Sequence, residues 1–137
     1  WWLGSPLFLS STVSEAPPGG PGALVRVLGG SLRDADAAHK GSGAATIYRA
    51  ADGGHLLRLE DVDITNGPDL HVYLTPHADP KESAHLHEAG AVTVGPLKAN
   101  RGSHNYPIPP SVDVAKLRTM VVYCVPFKVM FARASLE

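Results

Sequence analysis

Over residues 69–74, apolar Leu70, Val72 and Leu74 alternate with Asp69, His71 and Tyr73, the period of two that marks a half-buried strand. Just upstream the alternation breaks. Leu57 and Leu59 share one parity and Val62 and Ile64 the other, so the inward face slips by one residue around Glu60 and Asp61. A strand absorbs such a slip with a bulge or a bend. Thr65-Asn66-Gly67-Pro68 then turns the chain, because Asn66 and Gly67 suit positive φ and Pro68 bars further pairing.

The same reading predicts strands within 23–32, 44–50, 55–64, 70–74, 91–97, 119–125 and 127–134. The stretch 119–125, Thr-Met-Val-Val-Tyr-Cys-Val, is apolar at both parities and reads as a buried central strand. Residues 33–43 and 98–105 read as polar turns, and 106–113 as an extended, proline-guarded edge. Asp79, Pro80 and Glu82 form a capping-box pattern that predicts one or two helical turns, and 114–118 reads as a single turn. With 14 glycines and 12 prolines, breakers recur too often for long helices. The expected architecture is all-β: a single antiparallel β-sandwich, jelly-roll or Ig-like, of eight or nine short strands.

A chain of 137 residues suits one domain. Residues 1–22, ending in Glu-Ala-Pro-Pro-Gly-Gly-Pro-Gly, read as an arm and linker, and 23–137 as the domain. Trp1 and Trp2 followed by Leu3, Leu7 and Phe8 resemble the interfacial end of a membrane anchor lying before residue 1. The final Leu136-Glu137 reads as a cloning remainder. A net charge of −1, without a basic stripe, argues against nucleic acid as a partner.

Cys124 is the single cysteine, so no intrachain disulfide forms. At the end of a buried strand, a thiol is first of all a small core side chain. A reactive role requires access and nearby positive charge. Blue copper would need two histidines beside Cys124 and Met130, and the segment between those two holds none, so mononuclear copper is disfavoured. Haem ligation is open to Cys124, His71 or His39, whereas covalent attachment lacks its C-x-x-C-H. No metal-ligand spacing such as H-E-x-x-H or C-x-x-C occurs, and His85 and His87 read as solvated loop residues. Glu60, Asp61, Asp63 and Asp69 are a weak calcium pattern beside their reading as a solvated bend. No hydrolase triad or nucleophile elbow is present.

Taken in order, residues 39–48, 57–74, 95–109 and 121–132 resemble the DM-thirteen domain family, a likeness running from about Leu28 to Leu136. The resemblance implies a β-rich extracellular or envelope domain described as an electron-transfer module. Its redox element is a single cysteine, acting as a bare thiol or through a prosthetic group such as haem, and that cysteine falls on Cys124. It also implies a membrane anchor before the domain and a redox partner or envelope protein as its contact. The alternative is a non-enzymatic envelope binding module in which Cys124 is structural. The family's recurrent polar turns suggest that Asp63, Asn66, Asp69, Arg101 and Asn105 interlock two loops.

Overall fold

The computed structural model describes residues 12–19, 23–78, 80 and 90–137. Trp1, Trp2, the capping box at 79–82 and the pair His85 and His87 lie outside the described residues, apart from Pro80. Nine strands are described: β1 (Thr12–Ser14), β2 (Val25–Asp34), β3 (Gly41–Arg49), β4 (His55–Ile64), β5 (Leu70–Thr75), β6 (Val92–Pro96), β7 (Arg101–Ile108), β8 (Thr119–Cys124) and β9 (Val129–Ser135). One 3-10 turn, Val114–Lys116, is capped by the Asp113 side chain. Among the described residues no helix is long and apolar enough to cross a membrane.

The all-β expectation holds, but the layout differs from a jelly-roll or Ig-like sandwich. The strands run in one order, β1-β7-β4-β3-β2-β9-β8-β5-β6. Strand β2 is the corner: Val25–Ser31 pair with β3, and Leu32–Asp34 pair with β9. One strand therefore belongs to both halves, and the sheet curls around the main core instead of splitting into two layers. It is also mixed, since β1 pairs with β7 in parallel. Alternation along a strand reports which face is buried. It carries no information on where a long strand changes partner.

The predicted slip in β4 is present. Asp61 has φ 50°. The β4–β7 register shifts between Leu59 and Val62, so Leu57, Leu59, Val62 and Ile64 all reach the core. The β3 side shifts in concert at Gly43, whose φ of 111° no β-branched residue would adopt comfortably. Strand β8 is buried along its whole length between β5 and β9, as its apolar run predicts.

Three segments take on more structure than their composition suggests. Residues 101–105, expected to turn, open β7. The expected arm supplies β1. Leu136 is buried and Glu137 exchanges two backbone bonds with Gly29, so the last two residues belong to the fold.

Candidate functional site

Cys124 closes β8, opposite Leu70 on β5 and Val129 on β9, and its side chain is 0% exposed within the main core. The thiol donates to the carbonyl of Pro68 at 3.1 Å. One residue on, Val125 N–H donates to Asp69 O. The loop 65–69 thus lies across the end of β8 and roofs the sulfur.

The roof rests on Phe131. Tyr123 pairs with Met130 and Val122 with Ala132, leaving Phe131 as the extra residue of a bulge in β9. The bulge sends Phe131 into the main core with Cys124, while Met130 packs with Tyr123 in the second cluster. Gly67 presses on the Phe131 ring so closely that a Cβ there would stand 2.5 Å from its edge. On the same ring sits His39, with centroids 4.3 Å apart. His39 is oriented by Asp36, whose carboxylate accepts from Nδ1 at 2.8 Å and from the backbone N–H groups of Ala38 and His39. The His39 bond, foremost, holds the Asp36 carboxyl below its usual range. Facing a carboxylate, Nδ1 is the donor of this pair.

Of the three sequence candidates, the fold brings two to one end. His39 reaches Cys124 only through Phe131 and the Gly67-Pro68 loop. His71 is not brought in: it pairs with Tyr123, one register step from the Leu70–Cys124 pair, and so occupies the opposite face. There its Nε2 donates to Asp69 Oδ1 at 2.8 Å. Cys124 and Met130 likewise face opposite sides, which removes the blue-copper arrangement. Among the described residues no three His, Cys, Asp or Glu side chains gather as a metal site. The acidic bend is instead internally paired, Asp63 with Arg101 and Asp69 with His71. Cys124 and His71 do not present a joint haem seat, because the sulfur's contacts are to core side chains and a carbonyl and His71 lies on the opposite face.

The loops at this end are interlocked, by a different residue from those expected. Asn100 is 5% exposed. Its carbonyl accepts from Ile64 N–H at 2.9 Å and its side-chain amide donates to Ile64 O at 3.2 Å. Of the five expected residues, only Asp63 and Arg101 join the two loops. Asn66 bonds the next backbone N–H and Asp69 bonds His71, while Asn105 holds the arm. Beside Asn100 a polar cleft of about 280 Å³ is lined by Asp34, Lys40, Asp63, Asn66 and Arg101, among others.

A second buried polar group braces the start of β7. His104, 0% exposed, contacts Tyr106 Oη through Nδ1 and Arg101 O through Nε2, each at 3.0 Å. Tyr106 Oη already accepts from Lys98 N–H, so its own proton goes to Nδ1, and Nε2–H donates to the carbonyl. Desolvation lowers the His104 pKa and drives that of Tyr106 up to about 12. Both groups are kept neutral. Nothing in the pattern of residues 98–106 singles out His104, because a histidine between Ser103 and Asn105 in a polar stretch reads as solvated.

What these features define is an all-β domain with one roofed thiol at the loop end of a curled sheet. The sequence profile of the electron-transfer DM13 family matches residues 34–136, and the chain belongs to that family. No curated protein and no solved structure matches it.

Proposed function

We propose that this domain is an electron-transfer module held outside the cytoplasmic membrane by an N-terminal anchor, with Cys124 as its redox element. Family membership supports the redox class. The observation that carries the residue assignment is the seat of the thiol, at a strand end under the 65–69 loop. The topology also suits an anchor. Strand β1 runs parallel to β7 with Thr12 beside Arg101, so whatever precedes residue 12 leaves from the end that carries loops 35–40, 65–69 and 125–128.

In the closed arrangement the sulfur meets no outside partner, so electron exchange requires the 65–69 loop to lift. A lone thiol then exchanges with a partner's disulfide. A bond forms from Cys124 Sγ to one partner sulfur, the partner's S–S bond breaks, the second partner sulfur leaves as thiolate, and the Cys124 proton passes to water. The test is labelling by a disulfide reagent in native buffer. A rate well above that of global unfolding supports the module, and labelling only upon unfolding overturns the assignment to Cys124.

The full burial of Cys124 favours a second reading, an envelope binding module in which the sulfur is packing. Cys124→Ala and Cys124→Ser separate the two. Loss of a measured electron-transfer activity with an unchanged fold supports the first reading. A lowered melting temperature with partner binding intact supports the second.

A further inference from the structure

The arm is seated on β7 as a peptide ligand would be. Thr12, Val13 and Ser14 pair in parallel with Arg101, Gly102 and Ser103, and the Glu15 N–H continues the ladder to Ser103 O at 2.8 Å. Gly102 makes the approach possible, since a Cβ there would stand 2.0 Å from Val13 O. Beyond the ladder the contacts read one side chain. Glu15 Oε1 accepts from Lys98 Nζ at 2.7 Å and from Asn105 N–H at 2.9 Å. Arg58, 6% exposed, donates to Glu15 O, and the Asn105 side-chain amide donates to Ala16 O, both at 2.9 Å. The bond from Lys98, and next that from Asn105, lowers the Glu15 pKa.

What the arm lacks is equally telling. Among the described residues 12–16 none enters either core cluster, and Thr12 and Ser14 are exposed. Over residues 12–16 the seat is backbone pairing plus one charged anchor, without the apolar burial that holds a strand in place permanently. It is joined to the domain by Pro17, Pro18, Gly19, Gly20, Pro21 and Gly22, a sequence that neither helix nor sheet can recruit. The family match starts at residue 34, beyond both.

We propose that the β7 edge is a recognition site for an extended strand bearing a glutamate, filled in cis by residues 12–16, and that two copies of this chain exchange arms through it. Exchange preserves every contact named above and alters only the tether, so the balance is set by concentration. Release without replacement leaves the open edge of β7 and the buried Arg58 guanidinium short of an acceptor. An incoming strand of the same chemistry is thereby favoured over an empty groove.

A covalent trap tests this in the full chain. Ser14→Cys and Ser103→Cys, combined with Cys124→Ala, place a cysteine on each side of the Ser14–Ser103 pair. Isotopically light and heavy copies are mixed, equilibrated from micromolar to millimolar concentration and oxidised. Mixed light–heavy disulfide dimers whose share rises with concentration support exchange. Intrachain disulfide alone at every concentration overturns it, and no disulfide at all overturns the groove. A second measurement does not depend on the trap. Glu15→Lys opens the groove, so a fluorescent peptide of residues 10–18 binds that variant at least tenfold more tightly than the wild-type chain. Adding Lys98→Glu to Glu15→Lys re-seats the arm and abolishes peptide binding. Equal peptide affinity for all three chains overturns the proposal.

Discussion

The Cys124 Sγ of this protein lies 3.1 Å from the carbonyl oxygen of Pro68, to which it donates, in the loop that also presses Gly67 onto Phe131. Sulfur, loop and ring therefore pack as one unit. Gly67→Ala should wedge the loop from the ring, because the new methyl has no free space and the aromatic side chain is itself buried. Overpacking of this kind costs about 1–3 kcal/mol. If the cost falls on loop closure, native-state labelling of Cys124 accelerates by roughly tenfold for each 1.4 kcal/mol. Unchanged labelling with a lowered urea midpoint would mean that the loop does not gate the thiol.

Asn100 and Asp69 should differ in their effect on stability. Asn100→Ala strands the buried Ile64 carbonyl and should cost about 1–3 kcal/mol. Asp69→Ala removes a pair whose carboxylate is 55% exposed and should cost under about 1 kcal/mol. Urea midpoints of the two variants check the order, and a larger loss for Asp69 would contradict the lock assigned to Asn100.

His104 predicts a fall in stability on mild acidification. Its folded pKa lies below the ordinary histidine value of 6.5, mainly through desolvation. Its contribution is complete above about 6.5 and is lost as pH drops from there through the lower folded value. The depressed carboxyls Glu15, Asp34 and Asp36 act in the same direction, but only at and below their ordinary values near 4. Melting temperatures between pH 7.5 and 5 isolate the histidine, approximately. His104→Gln should flatten that part of the curve, and persistence of the slope in this variant would assign it elsewhere.

Gly43 should tolerate no side chain. At φ 111° an added Cβ would stand 2.7 Å from the Val62 Cα, within the paired bulges of β3 and β4. Gly43→Ala should lose more than about 2 kcal/mol, combining left-handed strain with overpacking. A variant with a wild-type melting temperature would show that the two bulges are not coupled.

Residue chemistry alone made several features legible. The parity switch at Glu60 and Asp61 announced a bulge because a strand has only two faces. The apolar run at 119–124 announced a central strand because both of its faces need cover. Cys124 stood out because it is the only thiol. Other features depend on groups far apart in the chain. Asn100 looks like an ordinary turn residue until Ile64 lies beside it, and Phe131 looks like one more alternating aromatic until a bulge in β9 turns it beneath Gly67.

By itself, then, the order of residues determined most of the strands, though not β1 or the start of β7, where one of them kinks, and to which family the chain belongs, since these follow from local stereochemistry and pattern. Only the tertiary structure decided that β2 joins both halves of one curled sheet. It alone set His71 on the face away from Cys124, roofed the sulfur with a loop, and drew residues 12–16 onto β7. Each of those depends on register between strands distant in sequence, and a single step of register exchanges inside for outside.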